Sequence, residues 1–115
     1  MTSVTIYHNP RCSKSRQTLA LLEERNLDIS IVQYLETPPD ETTLREIIRK
    51  LGVSGMDLVR TGEAEYKESG LSGASGDDEV IKAIVDAPKL LQRPIVVAGD
   101  SARIGRPPES VLEII

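Results

Sequence analysis

The sequence predicts an α/β fold on a mixed four-stranded sheet, in the order β-α-β, then inserted helices, then β-β-α. Three observations carry it. A short alternating strand pattern, a helical apolar stripe and a second strand pattern follow one another, the signature of a parallel β-α-β unit. Two later strand patterns flank Gly99-Asp100, a two-residue hairpin signal. The stretch between these two units is amphipathic at helical spacing. At 115 residues the chain fits one domain, residues 1–115, burying roughly two-thirds of the surface its unfolded form exposes.

Ser3 to Tyr7 (SVTIY) alternates and is β-branched, so it reads as the first strand, and Asn9-Pro10 breaks it. Ser15, Thr18, Leu19 and Leu22 then fall on one helical face, in a helix ending near Asn26. Asp28 to Tyr34 reads as the second strand. TPPD, Thr37 to Asp40, starts a helix, with Thr37 or Asp40 as cap and proline in the first turn. Its stripe is Leu44, Ile47, Ile48 and Leu51, and Gly52 is a left-handed stop. Met56, Leu58 and Val59 suggest a short helix, and Gly70 to Gly76 reads as a flexible surface loop. Asp77 to Ala87 is amphipathic through Val80, Ile81, Ile84 and Val85. Pro94 to Ala98 and Ser101 to Ile104 pair as the hairpin, and Arg106-Pro107-Pro108-Glu109 starts a last helix through Val111, Leu112 and Ile115. This order matches the thioredoxin-like arrangement, in which a reactive cysteine follows the first strand.

With no Phe or Trp and three Tyr, the core must be aliphatic, and a stacking platform for bases is absent. A net charge of -4 argues against nucleic acid or an anionic membrane as partner. No apolar run approaches the roughly 20 residues of a membrane span. The N-terminus, MTSVTIYHNP, lacks the pattern of a secretory signal, so a cytoplasmic location is expected. The chain has one Cys and one His, too few for a zinc-type ligand set, and no metal is expected.

That cysteine and histidine share the stretch HNPRCSKSR, residues 8–16, with three basic residues and no acidic one. Cys12 lies between a strand and a helix start, where unpaired N–H groups and the helix dipole favour the thiolate. Lowering a thiol pKa from about 8.5 to about 6.5 raises the ionised fraction at neutral pH from roughly 3% to roughly 75%. Most of that gain is returned as lost nucleophilicity, so the larger benefit comes when the sulfur must leave a covalent adduct. Ser15 stands three residues on, where a C-x-x-C motif has its second sulfur; a hydroxyl can donate to a thiolate but cannot resolve a disulfide. His8 has three readings: an imidazolium stabilising the thiolate, an imidazole taking its proton, or a strand-end residue satisfied by local backbone. Arg11, Lys14 and Arg16 singly read as solvated charges. Together at a helix start they suit an anion.

HNPRCSKSR, followed by LVRTGEAEYKE, QRPIVV and IGRPPESVLEI, resembles the glutaredoxin-linked arsenate reductase family, in the family's order and over nearly the whole chain. The resemblance implies a thioredoxin-like fold in which Cys12 attacks arsenate, helped by His8 and Ser15, while Arg60, Arg93 and Arg106 surround the oxyanion. It implies a cis proline at Pro94, no bound cofactor, glutathione as co-substrate and glutaredoxin as partner; a monomer is expected. Two other readings stand beside it. One is a monothiol glutathione-linked oxidoreductase acting on another substrate. The other is an RNA-polymerase-binding regulator of the same fold, against which Ser15 argues because oxidation sensors of that kind carry C-x-x-C.

Overall fold

The computed structural model describes residues 2–73 and 75–115, with Thr2 described by its backbone alone. Ala74, inside the glycine-rich 70–76 stretch, lies outside the described residues. These residues gather into two compact units: the chain up to Thr37 together with Arg93–Ile115, and Pro38–Gln92. The second is the block of helices that the pattern inserts between the second and third strands.

In the first unit, β1 (Thr2–Tyr7), α1 (Ser13–Glu23) and β2 (Leu27–Val32) form the expected β-α-β unit, with β1 and β2 parallel in a register that pairs Val4 with Ile29 and Tyr7 with Val32. β3 (Ile95–Ala98) runs antiparallel to β1, and β4 (Ser101–Ile104) antiparallel to β3, giving the sheet order β2-β1-β3-β4. This is the thioredoxin-like mixed sheet. Alternation in β1 sends Val4 and Ile6 to one face, where they meet Leu22 of α1, Val96 and Ala98 of β3, and Val111. Burying each such side chain contributes roughly 1.5–3 kcal/mol, so this aliphatic layer holds α1 against the sheet without aromatic residues. Gly99 takes a φ of 59° at the hairpin turn, a conformation open to glycine at no steric cost.

The chain leaves β2 two residues earlier than its pattern predicts. The Gln33 carbonyl accepts the N–H groups of both Glu36 and Thr37, at 2.9 Å each, which turns the segment and places Tyr34 outside the strand and wholly buried. The closing segment also differs. Pro108–Ile114 is a 3-10 helix rather than the α-helix expected. Pro107 and Pro108 have no N–H to give, and the Ser110 N–H donates to the Pro107 carbonyl at 3.0 Å, setting the tighter repeat.

In the second unit α2 (Glu41–Leu51) starts at Asp40, whose carboxylate accepts the Thr43 N–H at 2.8 Å, so Asp40 rather than Thr37 is the cap and both prolines precede the helix. It stops at Gly52, at a φ of 69°, as read from the sequence. Leu44, Ile47 and Ile48 are buried on α2, which packs against α4 (Asp77–Asp86) and its Val80, Ile81 and Ile84. Val85, expected on that apolar side, is 37% exposed. The short helix near Met56 is a 3-10 turn over Gly55–Leu58. A further helix, α3 (Ala64–Ser69), has no buried residue and left no apolar stripe to read. Among the described residues no helix is long and apolar enough to cross a membrane.

Candidate active site

The loop after β1 is built by Asn9. The His8 N–H donates to the Val32 carbonyl at 2.8 Å, carrying the β1–β2 pairing one residue past the strand. The Asn9 side-chain oxygen then accepts the Arg11 N–H at 3.0 Å, and its carbonyl accepts the Cys12 N–H, also at 3.0 Å. This side-chain mimic of a backbone turn is what an Asn-Pro pair offers. Arg16 clasps the same loop, its Nη1 donating to the Pro10 carbonyl at 2.9 Å. Cys12 is left as the N-cap of α1, partly exposed, with extended backbone and no side-chain cap, and no acidic residue occupies the first turn. The first N–H groups of α1 therefore face a negative charge at this end, the thiolate itself included.

Burial pushes the Cys12 thiol up, but this is outweighed by the backbone N–H of Ser15, by the Arg93 guanidinium, which both hydrogen-bonds and attracts the thiolate, and by the Lys14 N–H. The net result is a thiol below its ordinary value. A second guanidinium lies close: Arg106 Nη2 is 3.7 Å from Cys12 Sγ, while its Nε donates to the Arg93 carbonyl at 2.8 Å. Arg93 precedes a cis Pro94, as the resemblance implies, and Arg106 precedes a second cis proline, Pro107. The structure thus brings Arg93 and Arg106 to Cys12. Arg60 belongs to the second unit, where its N–H donates to the Leu90 carbonyl at 2.7 Å and its Nη1 lies 3.5 Å from Glu63 Oε1.

Ser15 meets the sulfur through its backbone. Its wholly buried hydroxyl instead lies 2.6 Å from His8 Nδ1 and accepts the Asn9 N–H at 3.0 Å. Arg106→Ala is therefore expected to raise the Cys12 pKa, whereas Ser15→Ala leaves the Ser15 N–H in place and changes it little. Ser15→Ala should instead cost about 1–3 kcal/mol of stability, because His8 and the Asn9 N–H lose a buried partner. Thiolate absorbance against pH and thermal melting check the two halves.

His8 is buried, and burial lowers its pKa; the positive charge of Arg16 acts in the same direction and Glu23 opposes it. The neutral imidazole is the favoured form. Because folding depresses this pKa, the unfolded chain takes the proton more readily, so stability is greatest above about pH 6.5 and declines as pH falls toward the lower folded value. In a Cys12→Ser background, which removes the thiol that titrates nearby, melting temperature should fall between about pH 7.5 and about pH 5.5, and His8→Asn should flatten that slope.

Two residues of the site escape a reading by motif. Asn9 looks like a turn residue only. Gly105, between β4 and Arg106, is buried, and a side chain there would meet Thr18 and Pro94; a glycine directly before the Arg-Pro-Pro run was the available signal.

The chain is similar to known proteins over nearly its whole length. Residues 7–114 match the ArsC family. The uncharacterized protein YfgD of Escherichia coli (strain K12) is 56% identical over 97% of this chain and 96% of its own length. An arsenate reductase of Neisseria meningitidis is 46% identical over the full length of both chains. The solved structure of an arsenate reductase from Vibrio cholerae superposes with a TM-score of 0.94 at 46% identity, covering 99% of this chain and 98% of that one. Matched almost end to end in sequence and in fold, the chain belongs to the ArsC family.

Proposed function

We propose that the protein reduces arsenate to arsenite, with Cys12 as nucleophile, glutathione as reductant and glutaredoxin as the partner that regenerates the thiol. The observation that carries the reading is a single thiol, held below its ordinary pKa at an uncapped helix start, with the guanidinium groups of Arg93 and Arg106 turned toward it. Guanidinium groups bind tetrahedral oxyanions in forked pairs and keep their charge at any working pH. The family pattern in LVRTGEAEYKE assigns the same task to Arg60.

In the first step the Cys12 thiolate attacks arsenic, a sulfur–arsenic bond forms, and an arsenic-bound hydroxyl leaves as water after taking a proton. Glutathione thiolate then attacks the Cys12 sulfur. A disulfide forms, the sulfur–arsenic bond breaks, and its electron pair stays on arsenic, which leaves as arsenite. Cys12 is now oxidised as a mixed disulfide with glutathione. A glutaredoxin thiol takes the glutathionyl group and frees the Cys12 thiolate, which leaves readily because its environment lowers its pKa. No second cysteine is required, in agreement with the one this chain has. His8 and Ser15 support the first step by fixing the loop that carries Cys12.

The test is a coupled assay with arsenate, glutathione, glutaredoxin, glutathione reductase and NADPH. NADPH oxidation should depend on arsenate and on glutaredoxin, and arsenite should appear mole for mole with the NADPH consumed. NADPH loss that ignores arsenate, or absence of arsenite, overturns the proposal.

A further inference from the structure

Tyr34 is one of three aromatic residues in the chain and is wholly buried, yet among the described residues its hydroxyl has no hydrogen-bond partner. Burying a phenol oxygen without a partner costs free energy that phenylalanine, with the same ring, would not incur. Packing alone therefore gives no reason for the oxygen. Its place in the fold does. The His8 N–H to Val32 carbonyl bond continues the parallel β1–β2 pairing beyond the strands, so the segment that carries Tyr34 leaves β2 alongside His8 and Asn9. The phenol faces the side chains of Asn9 and Arg93 and feels the charge of the Cys12 thiolate. Neither neighbour offers the phenol proton a free acceptor: the Asn9 side-chain oxygen already accepts the Arg11 N–H, and a guanidinium only donates. The proton of the phenol is left without an acceptor.

The geometry points to Tyr34 as a hydrogen-bond donor to an oxygen of the oxyanion held beside Cys12, an inference that rests on the oxyanion chemistry proposed above. An oxyanion bound by Arg93 at the sulfur supplies the acceptor that the fold omits. Burial, reinforced by the thiolate and only partly opposed by Arg93 and Asn9, raises the phenol pKa, so the group remains a protonated donor. Tyr34 and the guanidinium groups then divide the work: Arg93 and Arg106 supply charge, and the phenol supplies a directed neutral donor on the side of the β2 turn.

The test compares the parent protein with Tyr34→Phe by the arsenate concentration that half-protects Cys12 from alkylation by iodoacetamide. A hydrogen bond to a charged group lost from a buried site should raise that concentration roughly tenfold to hundredfold. The thiolate titration and the alkylation rate without arsenate should be unchanged, and the melting temperature unchanged or higher. Equal half-protection in the two proteins overturns the role of Tyr34 and leaves the oxyanion site standing. A raised Cys12 pKa in Tyr34→Phe overturns it too, by making the phenol a partner of the sulfur. A lower melting temperature overturns it by showing that the hydroxyl is satisfied within the fold. No protection of the parent protein overturns the oxyanion site itself, and this inference with it.

Discussion

Cys12→Ser is expected to bring arsenate-dependent NADPH oxidation down to the rate of the assay without enzyme, while the protein stays folded. A serine hydroxyl at this position ionises far less readily than the thiol, and the proposed chemistry needs the sulfur twice, once to bond arsenic and once to form the disulfide that carries electrons away. No other cysteine can take over. The fold should tolerate the exchange because Cys12 lies outside the aliphatic layer and is only partly buried. Serine is among the preferred residues at a helix N-cap, and its oxygen can accept the Ser15 N–H that faces the sulfur. Mass spectrometry of a reaction lacking glutaredoxin should find a glutathionyl adduct on the parent protein and none on Cys12→Ser. An active serine variant would refute the covalent scheme.

Gly105→Ala is expected to destabilise the fold and to disturb the site with it, because a side chain there has no room. A methyl group built there would lie 2.6 Å from Thr18 Oγ1, 2.7 Å from Pro94 Cγ and 3.2 Å from Thr18 Cγ2. Neither neighbour can yield cheaply. Thr18 is wholly buried and donates its hydroxyl to the Lys14 carbonyl at 2.8 Å inside α1, and Pro94 is a rigid ring whose carbonyl accepts the Gly105 N–H at 2.8 Å. Overpacking of this kind costs about 1–3 kcal/mol, which lowers the melting temperature of a small domain by about 5–15 °C. Activity should fall as well, because Pro94 is bonded to Arg93, and Arg93 both faces the thiol and anchors Arg106 through its carbonyl. Adding Thr18→Ala removes two of the three close atoms and should restore part of the stability, a non-additive pair that melting curves of the single and double variants would reveal. Equal stability of Gly105→Ala and the parent would show that the β4–Pro94 junction is looser than these distances imply.

Short-range physics accounts for every element that could be read in order along the chain. Alternation of two made β1, the helical stripe made α1 and α2, Gly52 and Gly99 marked left-handed turns, and the lone cysteine at a strand–helix junction marked the nucleophile. Each depends on a residue and its near neighbours, so each can be read in order along the chain. The early end of β2, the 3-10 form of Pro108–Ile114 and the existence of α3 could not be read so, since they depend on which N–H and carbonyl groups pair and not on apolar period. Arg93 and Arg106 were named from the family pattern; their contact with the thiol, across 94 residues of sequence in the case of Arg106, is a product of the β1–β3–β4 pairing. Long-range closure of the chain also set the Ser15 hydroxyl against His8 while its N–H serves Cys12, and buried the Tyr34 hydroxyl where it has no partner among the described residues. Residue type determines what a group can donate or accept, but direction and desolvation determine what it does, and both arise only when separate segments close around the same few atoms.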